Sequence, residues 1–275
     1  MIDFAHSDAA LLAPVALVVD RLHSECGVDS ERILLVGAIC RNMLHTAYGY
    51  EFAVADTRDI DLGLILEDWG EYRRVVDVYP AVGDTGIRFL IAGLVVDVLP
   101  FGGVENPLGS ATPEGRNQPL DVSGFENVYE HAALVRLPGT DNQIRIPQPA
   151  GYAALKMFAW LDRSAYGEYK DARDLALAMY WYLESEDVAD RLYGGDEGVR
   201  LLEAAEWDRD VAAVKMLSGE IRSQLGEIAP VLGERWRRAD TALIARSLSL
   251  PPGINWTTDR ARRSRLAAEL AFELG

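Results

Sequence analysis

The spacing of apolar residues changes character near residue 148, and no single layered sheet accommodates both sides of that change. Before it, short apolar runs alternate with stretches at helical spacing. Residues 32–36 and 59–66 read as strands, 87–91 and 94–99 as a hairpin across Ala92-Gly93, and 133–137 with 143–146 as a second hairpin across Pro138-Gly139-Thr140-Asp141. Residues 8–25, 38–48 and 69–79 carry helical periodicity, the last ended by Pro80. Residues 100–127, rich in Gly, Pro and Asn, read as one long loop of the kind that carries function. From Pro149 onward only helical spacing remains, over 150–161, 169–183, 198–205, 208–217, 235–248 and 259–274. The expectation is an α+β chain: residues 1–148 as a mixed sheet with flanking helices, and residues 149–275 as an all-helical domain packed against it.

Composition narrows the function classes. The chain has 275 residues, is 49% hydrophobic and 25% charged, and has no run of 18 uninterrupted apolar residues, so neither a disordered chain nor a membrane span is expected. Met1-Ile2-Asp3 has no basic region ahead of an apolar stretch, and two cysteines, Cys26 and Cys40, fit neither zinc spacing nor a disulfide framework. The expectation is a cytoplasmic protein with two buried free thiols. The net charge is −16, carried entirely by residues 1–200, because residues 201–275 hold 11 basic and 11 acidic side chains. Such a body disfavours broad nonspecific binding of nucleic acid but leaves room for a local basic groove. Only three lysines occur, Lys156, Lys170 and Lys215.

Four local features could carry chemistry. In Asp59-Ile60-Asp61, residues i and i+2 of a strand face one side, so the two carboxylates point together and need positive charge between them. Divalent Mg²⁺ with oxygen ligands is the natural occupant, and a solvated strand edge is the alternative. Asp97 sits inside the apolar run Val95-Val96-Asp97-Val98-Leu99 and has to be paired or metal-bound. If its strand lies beside that of Asp59, three carboxylates converge as a two-metal site requires. Leu35-Val36-Gly37-Ala38 is a strand ending on glycine and opening a helix, whose free N–H groups suit a phosphate. Arg41 lies one turn further in, with a surface ion pair to Asp59 or Glu51 as its ordinary role. Finally, Lys156 lies among apolar neighbours in 155–163, ahead of Tyr169-Lys170-Asp171-Ala172-Arg173-Asp174-Leu175. Lys156 would neutralise a triphosphate, while Lys170, Asp171 and Asp174 organise the helical wall; a Lys170–Asp174 pair on a helix surface is the alternative.

Taken in order, these elements resemble the nucleotidyltransferase fold shared with DNA polymerase beta. Thr57-Arg58-Asp59-Ile60-Asp61-Leu62, Val96-Asp97-Val98-Leu99-Pro100-Phe101-Gly102, the stretch from Lys156 to Arg163, and Lys170-Asp171-Ala172-Arg173-Asp174-Leu175 look like the AbiEii/AbiGii-type group, which includes toxins of bacterial toxin–antitoxin and phage-defence systems. The likeness spans roughly residues 30–183. It implies metal-dependent transfer of a nucleoside monophosphate from a nucleoside triphosphate to an acceptor, which in characterised toxins of the group can be tRNA. Asp59, Asp61 and Asp97 would be the catalytic metal ligands, with Asp97 also helping deprotonate the acceptor hydroxyl. The metal would be two Mg²⁺ ions, with Mn²⁺ as a substitute. Gly37, Ala38, Arg41, Lys156, Lys170, Asp171 and Asp174 would serve nucleotide binding, and a cognate antitoxin would be a protein partner. The chain departs from the pattern at Ala38, where the fold usually has a second Gly or Ser, in the long spacing from Gly37 to Asp59, and in residues 184–275, which match no motif.

Two further readings stand beside this one: a nucleotidyltransferase-like protein that binds a nucleotide or partner without turnover, and a small-molecule nucleotidyltransferase of the aminoglycoside-modifying kind. Arg235-Trp236-Arg237-Arg238 and Arg260-Ala261-Arg262-Arg263-Ser264-Arg265 would dock a nucleic-acid acceptor or be solvated helix faces, the latter favoured by the neutral charge of that region. The four histidines are scattered and read as structural.

Overall fold

The computed structural model describes residues 2–54 and 59–275; Thr57 and Arg58 of the motif above lie outside the described residues. The chain divides into two compact units, Met1–Gln148 and Pro149–Gly275, each with its own buried apolar residues.

The first unit is α+β. Its strands are β1 (Ile33–Val36), β2 (Ile60–Leu66), β3 (Arg88–Ile91), β4 (Leu94–Gly102), β5 (Ser110–Ala111), β6 (Leu120–Asp121), β7 (Ala133–Arg136) and β8 (Gln143–Ile146). Six of them form one mixed sheet in the order β3-β4-β2-β1-β8-β7, while β5 and β6 pair separately. β2 runs antiparallel to β1 and parallel to β4, and β3 folds back antiparallel on β4. All four residues of β1 are buried, as a short apolar run with neighbours on both edges requires. β2 alternates instead: Ile60, Leu62, Leu64 and Leu66 are buried, whereas Asp61 and Ile65 are partly exposed. One face of β2 therefore looks into the core and the other carries the carboxylates.

Helices α1 (Ala13–Cys26), α2 (Gly37–Ala47), α3 (Trp69–Val78) and α4 (Phe125–His131) complete this unit. Pro14 stands in the first turn of α1, which is where the expected 8–25 helix begins as regular α structure; 3-10 turns precede it. Asp68 caps α3 by accepting from the Gly70 N–H at 2.7 Å. The expected 100–127 loop holds more structure than its composition suggests. β4 extends through Gly102, Glu105 accepts from the Gly102 and Gly109 N–H groups at 2.8 and 2.6 Å, and α4 begins at Phe125. The Phe101 ring holds this segment down, with the rings of Phe125 and Tyr129 5.6 and 5.8 Å away. Both cysteines are buried free thiols.

The second unit is all-helical: α5 (Pro149–Arg163), α6 (Lys170–Glu184), α7 (Glu186–Tyr193), α8 (Asp196–Ala204), α9 (Arg209–Leu225), α10 (Ala229–Arg238), α11 (Thr241–Ser247) and α12 (Arg260–Glu269). α5, α6 and α9 pack on one another around fully buried Tyr152, Trp160 and Trp181. A buried ring of this size removes about 200 Å² from water, or about 5 kcal/mol of transfer free energy at ~25 cal/mol/Å². The stretch 235–248, expected as one helix, is two. Asp240 is extended and accepts from the Leu243 N–H at 2.9 Å, so it caps α11 instead of continuing α10. No helix among the described residues is long and apolar enough to cross a membrane.

Tyr72 ties α3 to the strands that carry Arg88 and Asp97. Its side chain is buried, and its hydroxyl lies 3.0 Å from the carbonyls of both Gly86 and Val98. Tyr72→Phe removes this donor at no cost in shape. We expect a loss of about 1 kcal/mol in denaturant unfolding; unchanged stability would show that the hydroxyl bonds add nothing net.

Candidate functional site

Strand pairing decides where the three aspartates lie. In the parallel pair β2–β4, Asp61 is the register partner of Asp97, so both side chains leave the same face of the sheet on adjacent strands. Their apolar neighbours Ile60, Leu62, Val96 and Val98 leave the opposite face and are buried. Asp59 precedes β2 by one residue and lies within reach of the same cluster, as its contact with Arg88 shows.

Arg88 is the residue the sequence reading did not single out. In the β3–β4 hairpin it is the register partner of Asp97. Its Nε and a terminal nitrogen donate to the two Asp97 oxygens at 2.7 and 2.9 Å, and the same terminal nitrogen donates to Asp59 at 3.0 Å. This is a bidentate guanidinium–carboxylate fork with a third oxygen attached. The Arg88 pKa is held above its ordinary value, first by the hydrogen bonds and charge of Asp97, then by Asp59 and Asp61, against some desolvation. The positive charge expected between the carboxylates is therefore supplied by a side chain of the protein. The hairpin signal could have found it: with Ala92-Gly93 as the turn, Ile91 opposes Leu94, and counting three residues outward pairs Arg88 with Asp97.

The glycine turn meets the same cluster. Val36 pairs with Asp61, and Gly37 opens α2 with φ +66. A Cβ at Gly37 would fall 1.9 Å from an Asp61 carboxylate oxygen. Glycine is required both by the backbone angle and by the carboxylate lying where a side chain would be. Val36 gives α2 no side-chain cap, and Ala38 is half-buried beside the turn. The positive end of the helix dipole thus faces a carboxylate and any anion brought near it. Arg41, implied for nucleotide binding with a surface ion pair as its alternative role, is buried rather than at the surface, and its Nε–H donates to the Asn42 side-chain oxygen at 3.1 Å.

The helical unit gathers the second group of residues. Lys156 on α5 puts its ammonium 2.6 Å from Asp174 and 3.2 Å from Asp171, both on α6. Asp171 is fully buried and also receives Arg163 at 3.4 Å. Burial pushes the Lys156 pKa down, but Asp174 and Asp171 outweigh it and the net shift is upward, so the ammonium stays charged. The alternative Lys170–Asp174 surface pair does not form: Asp174 turns inward to Lys156, and Lys170 is exposed with no ion pair among the described residues. Lys156, Asp171 and Asp174 neutralise one another, so the nucleotide role implied for them requires this network to open. The C-terminal arginines are also engaged: Arg262 with Asp208 and Asp210, Arg265 with Asp208, and Arg238 with Glu234.

The donor chemistry of Asp59, Asp61 and Asp97 fits a hard divalent cation, being oxygen only and drawn from two adjacent strands and the residue leading into one of them. Among the described residues no three acidic, His or Cys side chains stand at metal-holding spacing. Arg88 holds Asp59 and Asp97 on one guanidinium. No protein-family model matches the chain, and no curated protein matches it.

Two substitutions probe this arrangement. Gly37→Ala should destabilise the first unit by about 1–2 kcal/mol from backbone strain alone, more if Asp61 cannot shift, as read by chemical denaturation; an unchanged midpoint would mean the turn relaxes freely. Arg88→Ala leaves three like charges together and should cost about 1–2 kcal/mol in EDTA. In that variant Mn²⁺ should raise the unfolding temperature more than it does in wild type. Equal metal shifts in the two proteins would show that Arg88 and a cation do not compete for the same oxygens.

Proposed function

We propose that this chain is a metal-dependent nucleotidyltransferase, transferring a nucleoside monophosphate from a nucleoside triphosphate to an RNA acceptor of the tRNA class. The observation that carries the reading is the register pairing of Asp61 with Asp97 beside the Gly37 turn. It supports the reading because acidic oxygen donors and the first N–H groups of α2 lie beside one another where β1 ends and β2 begins. The resemblance in motif order supplies the reaction class, the setting of a toxin–antitoxin or phage-defence toxin in the cytoplasm, and a cognate antitoxin as partner.

In this reading Asp59, Asp61 and Asp97 would hold Mg²⁺, with Mn²⁺ as a substitute, and the metal would supply positive charge to offset that of the triphosphate. The backbone N–H groups of Gly37 and Ala38 donate to phosphate oxygens, a role that Ala38 fills without a hydroxyl. Asp97 accepts the proton of the acceptor hydroxyl. That oxygen forms its bond to the α-phosphorus as the bond from the α-phosphorus to the pyrophosphate oxygen breaks. Arg88 keeps the carboxylates charged and close together before substrate arrives, and its release from Asp97 frees the oxygens that the reaction uses. Positioning and charge compensation supply most of the rate.

The presence of a guanidinium in the carboxylate cluster, together with Ala38, favours one second reading: nucleotide or partner binding without turnover. Incubation with each α-labelled nucleoside triphosphate, Mg²⁺ and total cellular RNA separates the two. The expected result is label in RNA, reduced at least about a hundredfold in Asp61→Ala and Asp97→Ala. Binding of the Mg-nucleotide with no label in any acceptor would overturn transfer in favour of binding alone, and label confined to a small-molecule acceptor would overturn the RNA assignment.

A further inference from the structure

A second cationic feature lies on the helical unit; of its residues only Lys170 belongs to the nucleotide-binding set that the resemblance implies. The start of α6 and the end of α11 pack together and, with the residues flanking them, line a concavity of about 470 Å³ formed by Glu168, Tyr169, Lys170, Arg173, Arg246, Ser247 and Ser249. Lys170 and Arg173 are one helical turn apart on α6, exposed beside the inward-facing Asp171 and Asp174. Arg246 comes from the last turn of α11. None of the three has an ion pair or a side-chain hydrogen bond among the described residues, whereas Arg163, Arg191, Arg200, Arg222, Arg238, Arg262 and Arg265 of the same unit are each matched with a carboxylate. Like charges held this close repel, and Glu168 offsets only one of them, so the lining carries a net charge of about two positive units.

The same concavity has an aromatic wall. Tyr169 is 43% exposed, its ring braced at 5.8 Å by Trp160. Ser249 offers a hydroxyl with no hydrogen bond among the described residues. A phosphate oxygen surface satisfies three cations and a hydroxyl, and an aromatic face beside them suits a nucleobase, since every base can stack. We propose that this groove binds a nucleotide unit, its phosphate on Lys170, Arg173 and Arg246 and its base on Tyr169. The unit belongs either to a single-stranded polyribonucleotide or to a free nucleotide. In a chain of net charge −16 such a groove is a local exception, consistent with recognition of one or two phosphates and not with broad electrostatic binding.

The groove's binding is independent of nucleotidyl transfer and is read without it. Fluorescence anisotropy of a 5′-labelled octauridylate, in EDTA and across a salt series, is the measurement. The expected result is salt-dependent binding by wild type and equal binding by Asp61→Ala. Arg173→Ala/Arg246→Ala should weaken it at least about tenfold and lower the slope of log affinity against log salt by about 0.7, the value for the one phosphate they hold. Tyr169→Leu should weaken binding and Tyr169→Phe should preserve it. Competition by uridine monophosphate at concentrations equal to those of the octamer identifies a free nucleotide as the natural ligand; octamer binding at least about tenfold tighter identifies a polyribonucleotide. No binding of octamer or monophosphate by wild type would overturn the proposal, as would unaltered binding by the double arginine variant with wild-type circular dichroism.

Discussion

Three carboxylates on and beside two adjacent interior strands cannot remain charged and close without a compensating positive charge, and the placement of Arg88 answers that requirement. Its guanidinium spans Asp97 and Asp59 and feels the charge of Asp61. The rest of the first unit can be understood as what brings these groups together. The parallel β2–β4 pairing sets Asp61 beside Asp97, the β3–β4 hairpin sets Arg88 opposite Asp97, and the Gly37 turn leaves space for the Asp61 carboxylate. Tyr72 and the Phe101 cluster secure the strands from either side in sequence. A guanidinium and a divalent cation are alternative solutions to one electrostatic problem, which makes the strength of the Arg88 fork a natural control on metal entry.

The helical unit solves a related problem differently. Lys156 and Asp171 are deeply buried, where an isolated charge is prohibitively costly, and they persist because Asp174 and Arg163 complete the balance. A surface equivalent would contribute little. The neighbouring turn of α6 turns Lys170 and Arg173 outward, and there the charge is left uncompensated by the protein. Two adjacent stripes of one helix thus differ in kind: one is closed on itself, the other open to an anionic ligand.

The division of the fold was legible in its pattern spacing. Period-two alternation in 60–66 and 94–99 and the shift to helical spacing after Pro149 correspond to the observed strands and helices within a residue or two at most boundaries. The misreadings share a cause. α4 was hidden in a segment whose Gly, Pro and Asn content signals turns, yet Phe125 and Tyr129 pack on Phe101 from far along the chain. The 235–248 stretch looks continuous by periodicity, and the side-chain cap of Asp240 interrupts it. α7 and α10 were missed as separate helices for want of a long periodic stretch.

Local sequence determined which residues would be acidic, which strand face each would occupy, and that a glycine would end β1, because these follow from a two-residue repeat and from backbone sterics. Only the tertiary structure decided that β4 lies beside β2 and not elsewhere in the sheet, that Arg88 bridges Asp97 and Asp59, and that Lys156 is committed to Asp171 and Asp174. Strand order and the partner of a buried charge depend on contacts between segments tens of residues apart. No local propensity encodes them; they are selected by the requirement that buried apolar faces be covered and buried charges be balanced at the same time.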